Sequence, residues 1–361
     1  KRQAEDLAVT AAKDFDAFYA QAERAAHLAH EATGPILVIT ADGKGVVMRS
    51  DDLRDATKKA AETREHKLTT RLSKGEKRNA KRMAEVAAVY TIDPYMRQPH
   101  EVIADQRPVR SADDKRPHPQ HKRVWASLKK DPAEVIAEAF EEARRRDPAR
   151  RKTWVALVDG NRTQLQLVAE CAKTHGIQIT VVVDFIHALE YLWKAARALV
   201  GEGPESEEWV KDRARRLLEN EVSTVAAGIR RSATLNDLAG ANRKAVDKCA
   251  DYLLENACRM RYGDALAQGL PIATGVIEGA CRHLIKDRMD LTGARWRLDR
   301  AEAVLQLRAL RSSGDFDAYW AFHERREHER NHRSNYFRGA IPTTIRPARS
   351  RTRPPLTLVR S

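Results

Sequence analysis

Three acidic residues stand where carboxylates could gather around metal ions. Asp42 ends the apolar run PILVITADG at 35–43, and Asp159 ends the similar run TWVALVDG at 153–160. Glu278 lies in GVIEGACRHLIKDRM, whose apolar residues have helical spacing. Carboxylates gathered at one point repel each other unless divalent cations neutralise them. The pattern therefore predicts a metal site in which these three acids are both the ligands and the catalytic residues.

Magnesium best suits such a site, because it is a hard ion commonly held by a few carboxylates together with phosphate oxygens. Two Mg²⁺ ions about 3.5–4 Å apart can activate an attacking oxygen and stabilise a leaving oxygen in phosphodiester chemistry. We expect two Mg²⁺ ions per site, for which Mn²⁺ can substitute. Each acid alone has an ordinary interpretation, since Asp-Gly after a strand is typical of a turn. The joint placement favours the metal site.

The acids depend on a sheet whose strands are predicted from short apolar runs. Strands are expected at 35–43, 46–49, 85–92, 153–160 and 177–184, with a turn at Asp42-Gly43. The first three are close enough in sequence to be antiparallel, whereas helices at 133–146 and 163–175 predict parallel crossovers for the later ones. The predicted fold is α/β, a mixed five-stranded sheet flanked by helices. If the first and fourth strands are neighbours, their acids project at one edge.

The rest of the chain is predicted to be helical, with a basic end. We expect an N-terminal helix at 1–31, a core at 32–187, a helical insertion at 188–272, further core at 273–329 and a disordered tail at 330–361. Composition predicts a solvated, mobile segment at 51–83 and a loop at 97–123. Because the first residue is lysine, the sequence leaves room for an N-terminal domain upstream.

The overall charge predicts a polyanionic partner. The chain has 361 residues and a formal net charge of +14, and phosphate contacts by Lys or Arg release counterions. No apolar run approaches the roughly 20 residues of a membrane helix. The four cysteines form no CxxC pair and show no zinc-finger spacing. We therefore expect a cytoplasmic protein with reduced thiols, no membrane contact and a nucleic-acid partner.

Residues 35–312 resemble the ISKra family of bacterial insertion-sequence transposases, which is similar to the wider Mutator-like DDE group. The segments that carry the resemblance are ITADGKGVVMR (39–49), VALVDGNRTQ (155–164), VVVDFIHALEYLW (181–193) and ATGVIEGACRHLIKDRMDLTGARW (273–296). The resemblance implies an RNase H-like core with an all-α insertion between the fifth strand and the Glu-bearing helix. The family's N-terminal DNA-binding region has no evident counterpart in this sequence.

By position, the resemblance implies that Asp42, Asp159 and Glu278 are the DDE triad. Asp184 and His187 match the Asp/Cys-x-x-His element that follows the second Asp in the Mutator-like group. Asp184 also ends a strand, so it is the alternative second ligand, and it could simply cap the next helix. The fourth-strand position favours Asp159.

The implied activity is cleavage at element ends followed by joining of the 3′-OH to target DNA. The expected partners are double-stranded element ends and target DNA. Since two ends must be held together, we expect a homodimer or a larger assembly, associated with the nucleoid when bound to DNA.

Four further residues are candidate DNA contacts: Arg282, Lys286, Arg295 and Trp296. Arg282 and Lys286 follow Glu278 at i+4 and i+8, so on a helix they would lie on the same face as Glu278 and could bind phosphates. The ordinary interpretation is a salt bridge between Glu278 and Arg282. Trp296 could stack on an unpaired or flipped base, and its ordinary interpretation is core packing.

Two other functions are compatible with these features. An RNase H-like nuclease or resolvase would cut DNA without joining it, but the long helical insertion and the TGARW segment argue against this alternative. A non-catalytic, domesticated DNA-binding relative would bind without cutting, but the presence of all three acids argues against it. Joined products would indicate a transposase, cut products alone would indicate a nuclease, and metal-independent binding without cutting would indicate the non-catalytic relative.

Overall fold

The computed structural model describes residues 2–21, 33–62, 80–103, 116–291 and 293–331. The chain divides into two compact units, residues 1–316 and 317–361. The first contains the sheet, and the second is described as far as residue 331, as part of one helix. None of the described helices is long and apolar enough to cross a membrane.

Five strands form one mixed sheet in the order β3-β2-β1-β4-β5. Both pairings among the first three strands are antiparallel. β4 runs parallel to β1, and β5 runs parallel to β4. This architecture confirms the predicted α/β fold with a mixed five-stranded sheet flanked by helices. The strands are β1 Ile36–Val47, β2 Lys81–Ile92, β3 Gln120–Ser127, β4 Thr153–Val158 and β5 Ile179–Val183.

Two details of the predicted sheet are wrong. The chain does not turn at Asp42-Gly43, and residues 46–49 form no separate strand, because β1 continues to Val47. Each residue of β1 pairs with β2, so the ladder keeps the Asp-Gly pair extended. The third strand is β3, which begins inside the predicted loop 97–123. Its first half is polar and largely exposed, which hid it from a search for apolar runs.

Helices follow the strands and cover the sheet. Helix α5 packs on β1 and β2, α12 packs on β1, β2 and β3, and α14 packs on β3. The helices, in chain order, are α1 Arg2–Ala12, α2 Phe15–Tyr19, α3 Asp55–Glu62, α4 Pro99–Val102, α5 Pro132–Arg146, α6 Arg162–His175, α7 Phe185–Val200, α8 Pro204–Leu218, α9 Val222–Leu235, α10 Gly240–Glu255, α11 Tyr262–Ala267, α12 Gly275–Ala280, α13 Asp287–Met289, α14 Leu298–Ser313 and α15 Phe316–Asn331.

Several helix predictions need correction. The single N-terminal helix is two helices, α1 and α2, and residues 22–32 lie outside the described residues. The helical insertion predicted at 188–272 consists of several helices, two of which, α8 and α9, are separated at Asn220, where φ is +67°. Residues 63–79 of the basic segment and 332–361 of the tail also lie outside the described residues, so their predicted mobility stays a prediction.

The helical insertion shares an apolar core with the sheet. Val38 of β1 and Leu157 of β4 belong to the same buried cluster as Leu192, Leu217 and Leu253 of α7, α8 and α10. Burial of apolar surface from both parts stabilises their packing against one another. The insertion is therefore held against the strands whose ends carry the acidic residues.

Candidate metal centre

The strand register places three aspartates just beyond the paired residues of neighbouring parallel strands. β1 and β4 pair as far as Thr40 and Leu157. Asp42 and Asp159 each come two residues later, Asp42 inside β1 and Asp159 one residue past the end of β4. The β4–β5 ladder ends one residue before Asp159 and Asp184, which are therefore level with each other. Since these strands are parallel neighbours, the three carboxylates belong to one region of the sheet.

Asp42 lies inside a strand and contacts the Glu-bearing helix. Its Oδ1 accepts a hydrogen bond from the Gly43 amide at 2.7 Å, and its Oδ2 accepts one from the Cys281 thiol at 3.3 Å. Burial raises the pKa of Cys281, and the charge of Asp42 raises it further. The thiol therefore stays protonated, and it donates to Asp42 as a neutral group.

Asp159 lies beyond the end of its strand, in a turn that leads into α6. Its Oδ1 accepts from the Asn161 amide at 2.9 Å, and Gly160 has a φ of +84°. Asn161 in turn caps α6 through its side-chain oxygen. The carbonyl oxygen of Asp159 accepts from the Tyr252 hydroxyl at 2.8 Å. No described residue donates to Oδ2, so that oxygen is available to a cation.

Both carboxylate oxygens of Asp184 accept hydrogen bonds from within the protein. Its side chain is buried, and its Oδ1 accepts from the amides of Ile186 at 3.0 Å and Thr274 at 3.3 Å. Its Oδ2 accepts from the Thr274 hydroxyl. Burial raises the pKa of Asp184, although these hydrogen bonds act in the opposite direction. The helix-cap interpretation is confirmed, and the use of both oxygens favours Asp159 as the second ligand.

Glu278 lies on α12 and is exposed. Partial burial raises the pKa of its carboxyl, and the nearby charges of Asp184, Glu190 and Asp42 raise it further. Among the described residues, none forms a hydrogen bond or ion pair with its side chain. The alternative of a salt bridge between Glu278 and Arg282 does not hold, because Arg282 pairs with Asp287 at 3.7 Å.

The segment after Glu278 departs from α-helical geometry. Residues Cys281–Lys286 form a π-helix between α12 and α13. A π-helix hydrogen-bonds from i to i+5 and often marks a functional site. The prediction that Arg282 and Lys286 lie on the same helix face as Glu278 assumed 3.6 residues per turn, so it does not describe this segment. Arg282, Lys286 and Arg295 are exposed, and their contact with DNA stays a prediction.

The residues at this site fit Mg²⁺ in their chemistry. The donors of Asp42, Asp159 and Glu278 are all carboxylate oxygens, and the neighbouring thiol stays protonated. In the described part of the chain, no group of three ligand atoms within 4.8 Å of one another includes any of these acids. The three carboxylates therefore form no closed cage, and Mg²⁺ commonly keeps several waters and binds through one or two carboxylates plus phosphate oxygens.

Trp296 is anchored in the fold. It is 9% exposed, its indole nitrogen donates to the Met289 carbonyl at 3.2 Å, and its backbone bridges to Met48 beyond the end of β1. Because the residue is buried, the structure gives no support to stacking of its ring on a DNA base, which stays a prediction. The core-packing interpretation fits.

Two tyrosines lie near Asp159, and His187 lies next to both of them. The half-buried His187 ring is 5.9 Å from that of Tyr191 and 6.2 Å from that of Tyr252, measured between centroids. Sequence reasoning identified His187 but missed Tyr252 and Cys281. Cys281 follows Glu278 by three residues, a helical spacing that could have revealed it. Tyr252 lies 93 residues from Asp159 and carries no local signal.

Comparisons of the chain with protein-family models, curated proteins and solved structures found no match. The function is therefore inferred from the geometry of the site and from the motifs of the sequence.

Proposed function

We propose that this protein is a DDE transposase similar to the ISKra family, with an RNase H-like core. The observation that carries the proposal is the β1–β4 register, in which Asp42 and Asp159 each come two residues after the last paired residues, together with the contact at 3.3 Å between Asp42 and Cys281, three residues after Glu278. The strand order is compatible with an RNase H-like core. The helical insertion between β5 and α12 matches the expected family organisation.

The proposed reaction has two steps at phosphorus. In the first step, the oxygen of water bonds to a phosphodiester at the element end, and the 3′-oxygen leaves and takes up a proton. In the second, the freed 3′-OH attacks target DNA, and a target 3′-OH is released. Neither step needs a covalent bond between protein and DNA.

Asp42, Asp159 and Glu278 would hold Mg²⁺, for which Mn²⁺ can substitute. When bound, two such ions activate the attacking oxygen and stabilise the leaving oxygen. The chain itself supplies position and charge. The β1–β2 ladder fixes the backbone of Asp42, and the protonated Cys281 thiol orients its carboxylate. Such preorganisation places charge before the reaction begins.

The DNA partner is supported by charge. A formal net charge of +14 favours association with a polyanion. A homodimer or larger assembly is part of the proposal, since one reaction cycle must hold two element ends.

Nicking of supercoiled plasmid in Mg²⁺ or Mn²⁺ tests the proposal without knowledge of the element ends. We would compare the wild type with Asp159→Asn and Glu278→Gln. The matched control is Glu190→Gln, because Glu190 is an exposed carboxylate near Glu278 that pairs with Lys194 at 3.7 Å. We expect nicking by the wild type and by Glu190→Gln and none by the other two variants, with DNA binding retained by all four.

Other outcomes would contradict the proposal. Equal nicking by the wild type and Asp159→Asn would exclude Asp159 as a ligand. Metal-independent DNA binding without nicking, even on plasmids that carry the element ends, would favour the non-catalytic function. Cut products without joined products on those plasmids would favour a nuclease of the same fold.

A further inference from the structure

The helical insertion meets the candidate metal centre through a pair of tyrosines. Tyr191 on α7 and Tyr252 on α10 stack with ring centroids 4.0 Å apart and an interplanar angle of 7°. Lys194 lies over the Tyr191 ring at 4.9 Å. Both tyrosines are half-buried, and stacking fixes their relative position. The insertion thereby presents a preorganised aromatic pair beside Asp159.

Tyr252 also contacts the backbone of the turn that carries Asp159. Its hydroxyl donates to the Asp159 carbonyl at 2.8 Å. A Cβ added to Gly160 would lie 3.2 Å from the Tyr252 ring and hydroxyl. The turn thus packs closely against the tyrosine.

This contact matters because the β4–β5 ladder has ended at Val158. The carbonyl of Asp159 is no longer held by a neighbouring strand, and the local contact in the turn is the bond from the Asn161 amide to Oδ1. That bond orients the carboxylate relative to the turn, whereas the Tyr252 bond fixes the turn relative to the rest of the molecule. Groups behind a metal ligand commonly tune metal affinity in this way.

We propose that Tyr252 is a positioning residue that couples the helical insertion to Asp159, so that the insertion controls how the second carboxylate is presented to Mg²⁺. The proposal rests on the proposed function for the identity of the metal ligand. The coupling itself rests on the hydrogen bond and on the packing against Gly160. Tyr252 touches neither DNA nor metal in this role.

Tyr252→Phe tests the coupling, because it removes the hydroxyl and keeps the stacked ring. Tyr191→Phe is the matched control, since it removes a hydroxyl from the other ring of the same stack, and no described residue hydrogen-bonds to that hydroxyl. Hydrogen exchange measured on the full chain reports on the turn without requiring activity. We expect exchange of the Asn161 amide to rise about fivefold in Tyr252→Phe, with no change in Tyr191→Phe.

Metal dependence supplies the second measurement. We expect the Mg²⁺ concentration for half-maximal nicking to rise on the order of tenfold in Tyr252→Phe, with the rate at saturating Mg²⁺ changed by less than about twofold. The affinity for Mn²⁺ measured by calorimetric titration should fall by the same factor. Thermal melting checks that both variants fold, and Gly160→Ala, which presses on the same ring, gives an independent disturbance of the contact.

The two measurements separate failure of the coupling from failure of the proposed function. Unchanged Asn161 exchange in both Tyr252→Phe and Gly160→Ala overturns the coupling, as do equal effects in Tyr252→Phe and Tyr191→Phe. If the wild type neither binds Mn²⁺ nor nicks DNA, the proposed function fails. A selective change in exchange would even then establish that Tyr252 holds the turn.

Discussion

Asp42 and Asp159 each come two residues after the last paired residues of β1 and β4, yet the molecule holds them in different ways. Asp42 lies within a 12-residue strand whose every residue pairs with β2. Asp159 lies past the end of a six-residue strand, in a turn tied to a distant helix by Tyr252. The backbone of one acid is fixed by the sheet, and the backbone of the other is fixed by a side chain of the insertion.

The difference indicates where control of the site could enter. A strand paired along its whole length is costly to displace, because movement breaks several backbone hydrogen bonds together. A turn held by a few side-chain contacts, rather than by a continuous ladder, moves more easily. We therefore expect perturbations of the insertion to act on Asp159 and perturbations of the β2 side to act on Asp42.

The largest expected effect separates Asp42 from Asp184. Asp42→Asn should reduce nicking by about 10³-fold or more, because it removes a charge that acts on the transition state. Asp184→Asn should instead lower the free energy of unfolding by about 1–3 kcal/mol through its buried contacts with Thr274. Activity assayed well below the melting temperature should survive in Asp184→Asn. Complete loss of activity in a folded Asp184→Asn variant would make Asp184 the second ligand.

A substitution at Glu142 on α5 should weaken the packing on β2, the strand that pairs with β1 around Asp42. Glu142 is buried and pairs with Arg123 at 2.5 Å and Arg146 at 2.7 Å, and Arg146 also donates to the Val89 carbonyl of β2 at 3.2 Å. Glu142→Ala removes the carboxylate that neutralises two buried guanidinium groups, so it should cost about 3–5 kcal/mol in unfolding free energy. Glu141→Ala, at an exposed pair on the same helix, should cost less than about 1 kcal/mol.

The same network has a pH dependence with a defined sign. Burial alone would raise the pKa of Glu142, but Arg123 and Arg146 reverse this and lower it well below its ordinary range. Its contribution is therefore complete above the unfolded pKa of about 4.3 and is lost as the pH falls towards the folded pKa. Urea unfolding of wild type and Glu142→Gln at pH 7 and pH 3 should give a smaller difference at pH 3. A larger difference at pH 3 would contradict this sign.

Two glycines beside the acids sharpen the comparison. Gly160→Ala should cost roughly 1–2 kcal/mol, because its φ is +84° and its Cβ would press on the Tyr252 ring. A Cβ added at Gly43 would lie 3.1 Å from the flexible end of the Met83 side chain, within an extended strand. Gly43→Ala should therefore change stability by less than about 0.5 kcal/mol. Chemical unfolding measures both variants. Equal costs would remove the distinction between the two supports.

The smallest expected effect concerns the thiol at Asp42. Cys281→Ala removes the hydrogen bond to Oδ2 and should raise the Mg²⁺ concentration for half-maximal nicking by about two- to threefold, as expected for a weak donor. Cys249→Ala removes a buried thiol from the insertion core and should leave the Mg²⁺ dependence unchanged. A similar shift in both variants would assign the effect to general destabilisation.

Much of the sheet could be predicted from the sequence, and the errors have physical causes. Apolar runs identified β4, which is buried over five of its six residues, and β5, whose last two residues are buried. The Asp42-Gly43 pair was predicted to turn because local propensity favours it, but pairing with β2 overrode that preference. β3 was missed because its polar half carries no apolar pattern. The candidate acids were identified from strand ends and helical spacing, which are local signals.

The sequence by itself determined which charged residues could belong to the site and which segments could become strands. The tertiary structure decided their alignment, because the placement of Asp42 and Asp159 depends on the register between strands that are far apart in the chain. It also decided how each acid is supported. Tyr252 and Thr274 lie 93 and 90 residues from Asp159 and Asp184. No local periodicity encodes such contacts, because they form only when segments far apart in the chain pack against the ends of β4 and β5.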